Sequence, residues 1–322
     1  MQRNRAAYDD YEIWPHMLVN VSQLDLRVEL LGLQLPTPIL VAPTAYQRLA
    51  HEGGELAMAQ GAAEAGSLMV VSTLATTRLE QVAEASAGPK WFQLYVHRDR
   101  GFTRALVERA AAAGYRALML TVDTPLLGRR LADERNGFAL PPGLSMANLV
   151  DARESVPLSG SALASYCAAR HDAALTWKDL DWLRSLTTLP ILVKGILRAD
   201  DAVRAVECGV GGIVVSNHGA RQLDGTPATI DALAAVCAKV AGRCPVLLDG
   251  RIRWGTDVLK ALGLGAKAVL VGRPALWGLA VGGREGVARV LNLLRAELER
   301  AMALAGCPSL QALGSDLIRH RH

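Results

Sequence analysis

Eight short apolar runs recur along this chain, each followed by a polar or glycine-containing turn and then by helical periodicity. They are Ile39–Ala42, Leu68–Val71, Trp91–Tyr95, Ala117–Val122, Ile191–Val193, Gly212–Val215, Val246–Leu248 and Ala268–Val271. Helical patterns fill intervals such as Gly54–Ala65, Thr103–Ala113, Asp200–Glu207, Ile230–Val240 and Gly255–Leu262. Runs this apolar suit strands buried on both faces, as in a parallel sheet. Eight of them alternating with helices predict an α/β fold, a (β/α)8 TIM barrel formed as a single domain over residues 1–322. The rival is a doubly wound sheet, but no G-x-G-x-x-G opens a helix after the first strand. One connection is far longer than a normal βα unit. It runs from Asp123 to Pro190, and its middle, Pro141 to Ala174, is rich in Pro, Gly, Ser and Ala. Only Lys178–Leu186 reads as firmly helical there. Residues 124–177 are therefore expected to form a lid or loop insertion after strand four, a cover over the rim.

Composition agrees with a barrel and removes other classes. The chain has 322 residues, 51% hydrophobic and 20% charged, enough for a large core and too apolar for disorder. Aromatic residues are only 5%, and abundant Ala and Gly let helices lie close to a sheet. The net charge is +4, with Lys and Arg dispersed. That is ordinary surface chemistry, compatible with an anionic substrate but not a nucleic-acid footprint. The cysteines, Cys167, Cys208, Cys237, Cys244 and Cys307, are odd in number and form no C-x-x-C pair. They argue against a disulfide framework or metal site and for a reducing compartment. Met1 to Leu18 carries Arg3, Arg5, Asp9, Asp10 and Glu12 and lacks the apolar centre of a signal peptide. No stretch suits a membrane span. The expectation is a soluble cytoplasmic protein without nucleic-acid or membrane partners. The last residues, Ile318 to His322, read as a solvated tail whose two histidines are not metal ligands.

In a TIM barrel the active site lies at the carboxyl ends of the strands. Here strand one ends in Pro43-Thr44-Ala45-Tyr46 and strand two in Ser72-Thr73. Strand three carries Gln93 and Tyr95. Strand four reaches Thr121 and Asp123, with Arg129 and Arg130 beyond. Strand five ends in Lys194, strand six in Ser216 and His218 with Arg221 following, strand seven in Asp249-Gly250 then Arg253, and strand eight in Gly272-Arg273. Every strand delivers polar groups to one rim. A purely structural barrel gains nothing from burying charge there.

Gly250, Arg253, Gly272 and Arg273 follow strands seven and eight, where barrels commonly bind phosphate. The plainer alternative is that Gly272 and Arg273 only turn and solvate the chain. Lys194 suits either a Schiff base or a standing positive charge beside a reduced flavin ring. Gln93, Ser72 and Thr121 supply donors and acceptors for the edge of such a ring, though each alone is also a common strand-end cap. His218 is the candidate base, with Asp123 to orient it and stabilise its charged form. Arg130 and Arg221 can clamp a carboxylate, and Tyr95 can bond a substrate hydroxyl. A lone histidine is usually structural. One followed three residues later by Arg, at a rim shared with Lys194 and Asp123, points to catalysis.

These residues resemble the FMN-dependent 2-hydroxy-acid oxidases and dehydrogenases, a family that includes glycolate, lactate and hydroxymandelate oxidases and mandelate dehydrogenase. The matching pieces are Pro43-Thr44-Ala45, His51 to Glu55, Trp91 to Tyr95, Thr121 to Pro125, Gly128-Arg129-Arg130, Leu192 to Gly195, Ser216 to Gly219, Arg221 to Gly225, Asp249-Gly250 and Gly272-Arg273-Pro274. They occur in order and cover nearly the whole chain from about Asn4. The resemblance implies FMN as cofactor. Thr44 and Ala45, with Ser72, Gln93, Thr121 and Lys194, would contact the flavin ring. Ser216 would help hold it, Asp249 would meet the ribityl chain, and Gly250, Arg253, Gly272 and Arg273 would bind the phosphate. His218, paired with Asp123, would take the proton, while Tyr95, Arg130 and Arg221 hold the hydroxy acid. Both a carbanion and a hydride route fit these residues. The implied reaction is oxidation of a small (S)-2-hydroxy acid with oxygen as acceptor, in a homo-oligomer, a tetramer by resemblance. The alternatives are a dehydrogenase using a quinone or cytochrome, or an FMN-binding protein with little turnover.

Three departures stand out. The match begins some way into the family's sequence, past a region carrying a tyrosine for the substrate carboxylate, so that Asn4 to Tyr8 resembles the end of its N-terminal helical part. Ala220 replaces a usual second glycine after His218-Gly219. Arg251 replaces the last glycine of Asp-Gly-Gly, which either crowds the phosphate or gives it another cation. Tyr46 resembles the hydroxymandelate branch and favours an aromatic substrate.

Overall fold

A computed structural model describes residues 2–149 and 169–321. Eight parallel strands close into a barrel. They span Ile39–Val41, Met69–Ser72, Lys90–Leu94, Leu118–Thr121, Ile191–Ile196, Gly212–Val215, Val246–Asp249 and Ala268–Val271. All eight predicted strands are present, shifted at most a few residues at their ends. Helices Gly54–Glu64, Arg100–Ala112, Asp179–Ser185, Ala199–Glu207, Thr229–Val240 and Gly255–Gly263 match the predicted patterns.

The strands are buried on both faces, and their two-residue period separates two cores. Ile39, Val71, Phe92, Leu120, Val193, Val215, Leu248 and Val269 face outward into the main core beneath the helices. Leu40, Val70, Trp91, Met119, Leu192, Val214, Leu247 and Leu270 form a separate inner cluster. Val28, Leu30 and Leu35 join that inner cluster from a hairpin, Val28–Leu30 with Leu33–Leu35, which plugs one end of the barrel. Two residues beyond each inner apolar position stand Ala42, Ser72, Gln93, Thr121, Lys194, Ser216, Asp249 and Gly272. Alternation along a strand puts residues i and i+2 on one face. The polar rim is thus the top layer of the same inward columns whose lower layers are apolar.

Several expectations need correction. The C-terminal residues are not a solvated tail. Ile318–His320 pairs antiparallel with Tyr11–Ile13, and the Tyr11 and His320 rings meet edge-on at 4.9 Å. Leu79–Glu84 is helical, and the long connection holds a second helix, Leu131–Arg135, too short to show a period. After the last strand, Arg273–Leu304 is helical with a break at Gly282 and Gly283. The centre of the expected cover, residues 150–168, lies outside the described residues, and Cys167 with it.

Candidate active site

The top layer of the barrel is a hydrogen-bonded belt. Ser72 Oγ donates to Gln93 Oε1 at 3.2 Å, and Gln93 Nε2 donates to Thr121 Oγ1 at 3.0 Å. Across the barrel, Lys194 Nζ bonds Ser216 Oγ at 2.9 Å and Asp249 Oδ2 at 3.0 Å. Burial pushes the Lys194 ammonium down, but the carboxylates of Asp249 and Asp123 outweigh it and hold it above the usual lysine range. Lys194 therefore stays protonated. A Schiff base needs the neutral amine, so the standing-charge alternative fits the geometry.

His218 sits at the rim with φ of +57°, its N–H donating to Ser216 Oγ at 3.0 Å. Its Nδ1 lies 2.9 Å from Asp123 Oδ1, which also accepts from Thr124 Oγ1 at 3.0 Å. Burial raises the Asp123 carboxyl, yet the hydrogen bond and charge of His218 and the charge of Lys194 hold it below the usual carboxylate range. An ionised Asp123 makes Nδ1 the protonated nitrogen and leaves Nε2 as the acceptor. Asp123 is seated by a glycine. Gly195 has φ of +113° at an irregularity in strand five, and a Cβ there would stand 2.6 Å from Asp123 Cβ.

Tyr95, Arg130, Arg221 and His218 line the cleft, with Tyr46, Leu127 and Phe138 among its apolar lining. Arg130 Nε is buried without a hydrogen-bond partner among the described residues. The Arg221 guanidinium is pushed down by partial burial and then by the neighbouring Arg130 charge. Two cations facing one space with an unmet donor suit a carboxylate. Thr44, Ala45, Gly250, Arg253, Gly272 and Arg273 line it as well. Arg253 Nη2 and Asp249 Oδ1 are buried without hydrogen-bond partners among the described residues. The Arg253 guanidinium is held down to about 10, first by burial and then by Arg273 and Arg251. These orphaned donors, crowded cations and unmet carboxylate oxygen fit a phosphorylated, hydroxyl-bearing cofactor such as FMN.

Every sequence-predicted site residue thus lies on this cleft or bonds directly to one that does. Four supporting residues were not singled out. Asn217 and Asn4 exchange amide hydrogen bonds at 2.8 Å each way, tying the N-terminal helix Gln2–Ala6 to the His218 loop. Gln222 Nε2 donates to the backbone oxygens of Asp123 and Leu126 at 2.8 and 2.9 Å. Glu55, fully buried, accepts from Gln47 N, Thr76 N and the Thr76 and Thr77 hydroxyls, joining the loops after strands one and two. Asn217, Gln222 and Glu55 fell within the motif runs, but nothing in their residue types separated support from chemistry.

A closed barrel carrying an imidazole–carboxylate pair, a buried ammonium and an arginine-lined cleft at its mouth is an enzyme of the (β/α)8 class. The chain belongs to the FMN-dependent dehydrogenase family, whose model it matches over residues 1–320. It is 56% identical to an L-lactate oxidase of Nostoc sp., covering 99% of this chain and 89% of that protein. It is 50% identical to glycolate oxidase 3 of Arabidopsis thaliana, covering 99% and 87%. Human 2-hydroxyacid oxidase 1 is 49% identical, covering 98% and 87%. Among solved structures, mandelate oxidase with (S)-4-hydroxymandelic acid superposes with a TM-score of 0.93 at 45% identity, covering 99% of this chain and 89% of that one. No described helix is long and apolar enough to cross a membrane.

Proposed function

We propose that this protein oxidises a small (S)-2-hydroxy acid to the 2-oxo acid, with oxygen as acceptor and hydrogen peroxide as product. The observation that carries the reading is the His218–Asp123 pair at 2.9 Å, in the same cleft as Arg130, Arg221 and the Lys194 layer. Arg130 and Arg221 bind the substrate carboxylate, and Tyr95 bonds its hydroxyl. His218 Nε2 takes a proton from the substrate, and Asp123 stabilises the imidazolium that results. When bound, FMN supplies the two-electron acceptor. Thr44, Ala45, Ser72, Gln93, Thr121 and Lys194 would hold its ring, with Ser216 beside Lys194. Asp249 would hold the ribityl chain, and Gly250, Arg253, Gly272 and Arg273 would hold the phosphate. Lys194 would keep a positive charge beside the ring.

The names of the relatives, lactate, glycolate and 2-hydroxyacid oxidases, support oxygen as acceptor. Tyr46, Phe138 and Leu127 along the substrate side support an aromatic substituent, so mandelate is turned over in preference to glycolate. The described flanks of the 124–177 insertion act as a cover within one barrel domain of residues 1–322. The described flanks of that segment, Leu127, Arg130, Asp133 and Phe138, already line the cleft. Exposed Trp254, Trp277 and Val281 provide apolar surface for a homotetramer, and the free cysteines suit the cytoplasm.

Mixing the flavin-loaded protein with mandelate, lactate and glycolate, first without air and then with it, tests the reading. Loss of flavin absorbance followed by stoichiometric peroxide supports an oxidase. Reduced flavin that persists in air refutes the oxygen step, and no bleaching with any 2-hydroxy acid refutes the reaction. A clear preference for glycolate sinks the aromatic assignment.

A further inference from the structure

We propose that Arg251 supplies a third guanidinium to the FMN phosphate, beside Arg253 and Arg273, making cofactor retention in this chain more strongly electrostatic. The inference rests on the FMN reading of the cleft, and Arg251 stands where that reading expects glycine. Arg251 has φ of +62°, in the left-handed region that disfavours any side chain. A residue kept there needs a reason other than the turn itself, because glycine makes the turn without strain.

The side chain faces the right place. Arg251 lines the same cleft as Gly250, Arg253, Gly272 and Arg273. Its Nε is buried with no hydrogen-bond partner among the described residues, like Nη2 of Arg253 close by. Neither nearby carboxylate, Asp249 or Asp257, bonds Arg251. Asp249 Oδ2 is held by Lys194 at 3.0 Å, and Asp257 Oδ2 accepts the backbone N–H groups of Arg253 and Trp254. The other two cations are fixed. Arg253 lies over the Trp277 ring at 4.6 Å, and Arg273 Nη2 donates to the Gly219 oxygen at 2.7 Å. Burial, and then the Arg251 charge, depresses the Arg273 guanidinium, so the three repel one another without an anion between them. A phosphate dianion relieves that repulsion and fills the unmet donors. The crowding alternative requires Arg251 to hinder the phosphate, which unmet donors in one cleft with two other cations do not support.

The test is the release of flavin from the holoenzyme on dilution, followed by the rise of free-flavin fluorescence across a sodium chloride series. Removing one charge-assisted hydrogen bond to the phosphate speeds release by about tenfold or more. Arg251→Gly should therefore release flavin at least about tenfold faster than the parent, with a shallower dependence on salt. Arg251→Lys should fall between them. A merely structural residue gives the opposite sign, because glycine relaxes the backbone at this φ. Release from Arg251→Gly at the parental rate or slower overturns the inference while leaving the FMN reading intact. A parent chain that binds no FMN overturns both.

Discussion

Asp123→Asn separates orientation of the base from substrate binding. In the native protein the Asp123 and His218 side chains are 11% and 20% exposed, and a 2.9 Å contact joins them. A hydrogen bond between two charged groups in such a setting contributes about 1.5–3 kcal/mol. It is realised fully only when His218 carries the abstracted proton, so its loss raises the barrier rather than weakening the ground state. At about 1.4 kcal/mol per decade, the rate falls about 10- to 150-fold. The amide has two ways to sit. With its oxygen in the Oδ1 place it keeps the His218 and Thr124 donors. Its NH2 group then occupies the Oδ2 position, which is buried without a partner among the described residues. With its NH2 group toward Nδ1, it forces the ring proton onto Nε2 and removes the base, a reversal that costs about 10⁴-fold in a comparable pair. The assay is anaerobic stopped-flow reduction of the flavin-loaded variant at saturating 2-hydroxy acid. The limiting rate should fall about 10- to 10⁴-fold while KM holds within about threefold, because Asp123 does not line the cleft. A limiting rate within about threefold of the parent refutes the role given to Asp123.

Gly195→Ala should mimic that loss from a distance, since its Cβ would stand 2.6 Å from that of Asp123 at a φ of +113°. Reduction should slow and the melting temperature should drop, and an unchanged reduction rate would show that this close approach does not seat Asp123. Acid should unfold the protein partly through His97 and His171, which are 2% and 3% exposed. Burial, then the neighbouring His171 and Arg170 charges, hold His97 down to about 3, and burial holds His171 down to about 4, against 6.5 unfolded. Both folded values are depressed, so this stability is complete above pH 6.5. It falls as the pH drops from there toward 4, by up to about 1.4 kcal/mol per pH unit for each histidine. Urea midpoints at pH 7.5, 6 and 5 should decline, and His171→Phe should lessen the decline; parallel slopes in the two proteins would exclude His171. Ala220→Gly removes a left-handed alanine with φ of +59°. It should stabilise by up to about 1 kcal/mol, a rise of about 1–2 °C for a chain of this size, and a lower melting temperature would count against strain at this position.

The barrel was legible because its strands carry an unusual signal. Residues such as Leu118–Thr121 are buried on both faces, so they read as unbroken apolar runs. The site was legible for the same reason. In each column the first polar or small residue after the inner apolar one marks the rim, as Lys194 follows Leu192 and Asp249 follows Leu247. The terminal pairing was not legible. Tyr11–Ile13 and Ile318–His320 are three residues each and lie about 300 positions apart, too short for a period and too distant for a turn signal. Leu131–Arg135 is shorter than two helical turns and buries nothing, so no apolar face announces it.

What the sequence concealed most fully is how the rim is held. Tyr46, His218, Ala220 and Arg251 all have φ between +57° and +62° although none is glycine. Each such residue costs about 1–2 kcal/mol; Tyr46, His218 and Arg251 line one cleft, and Ala220 follows His218 two residues on. Viewed as sequence, Ala220 and Arg251 are losses of glycine, and Arg251 either crowds the phosphate or gives it another cation. Viewed in the fold, the supports beside them are unusually well bonded. The Gln47 N–H after Tyr46 is held by buried Glu55, and the Tyr46 N–H reaches the Leu74 oxygen at 3.2 Å. The His218 N–H is held by Ser216, and the Ala220 N–H by the Asn217 side chain, which Asn4 clasps from the N-terminal helix. Tyr8 continues that clasp, its hydroxyl donating to the Gly250 oxygen just before Arg251. Strained positions persist where the surroundings over-determine them. Asn4 and Tyr8 fix the backbone that aims His218 and Arg251 into the cleft, and Glu55 fixes the loop that carries Tyr46.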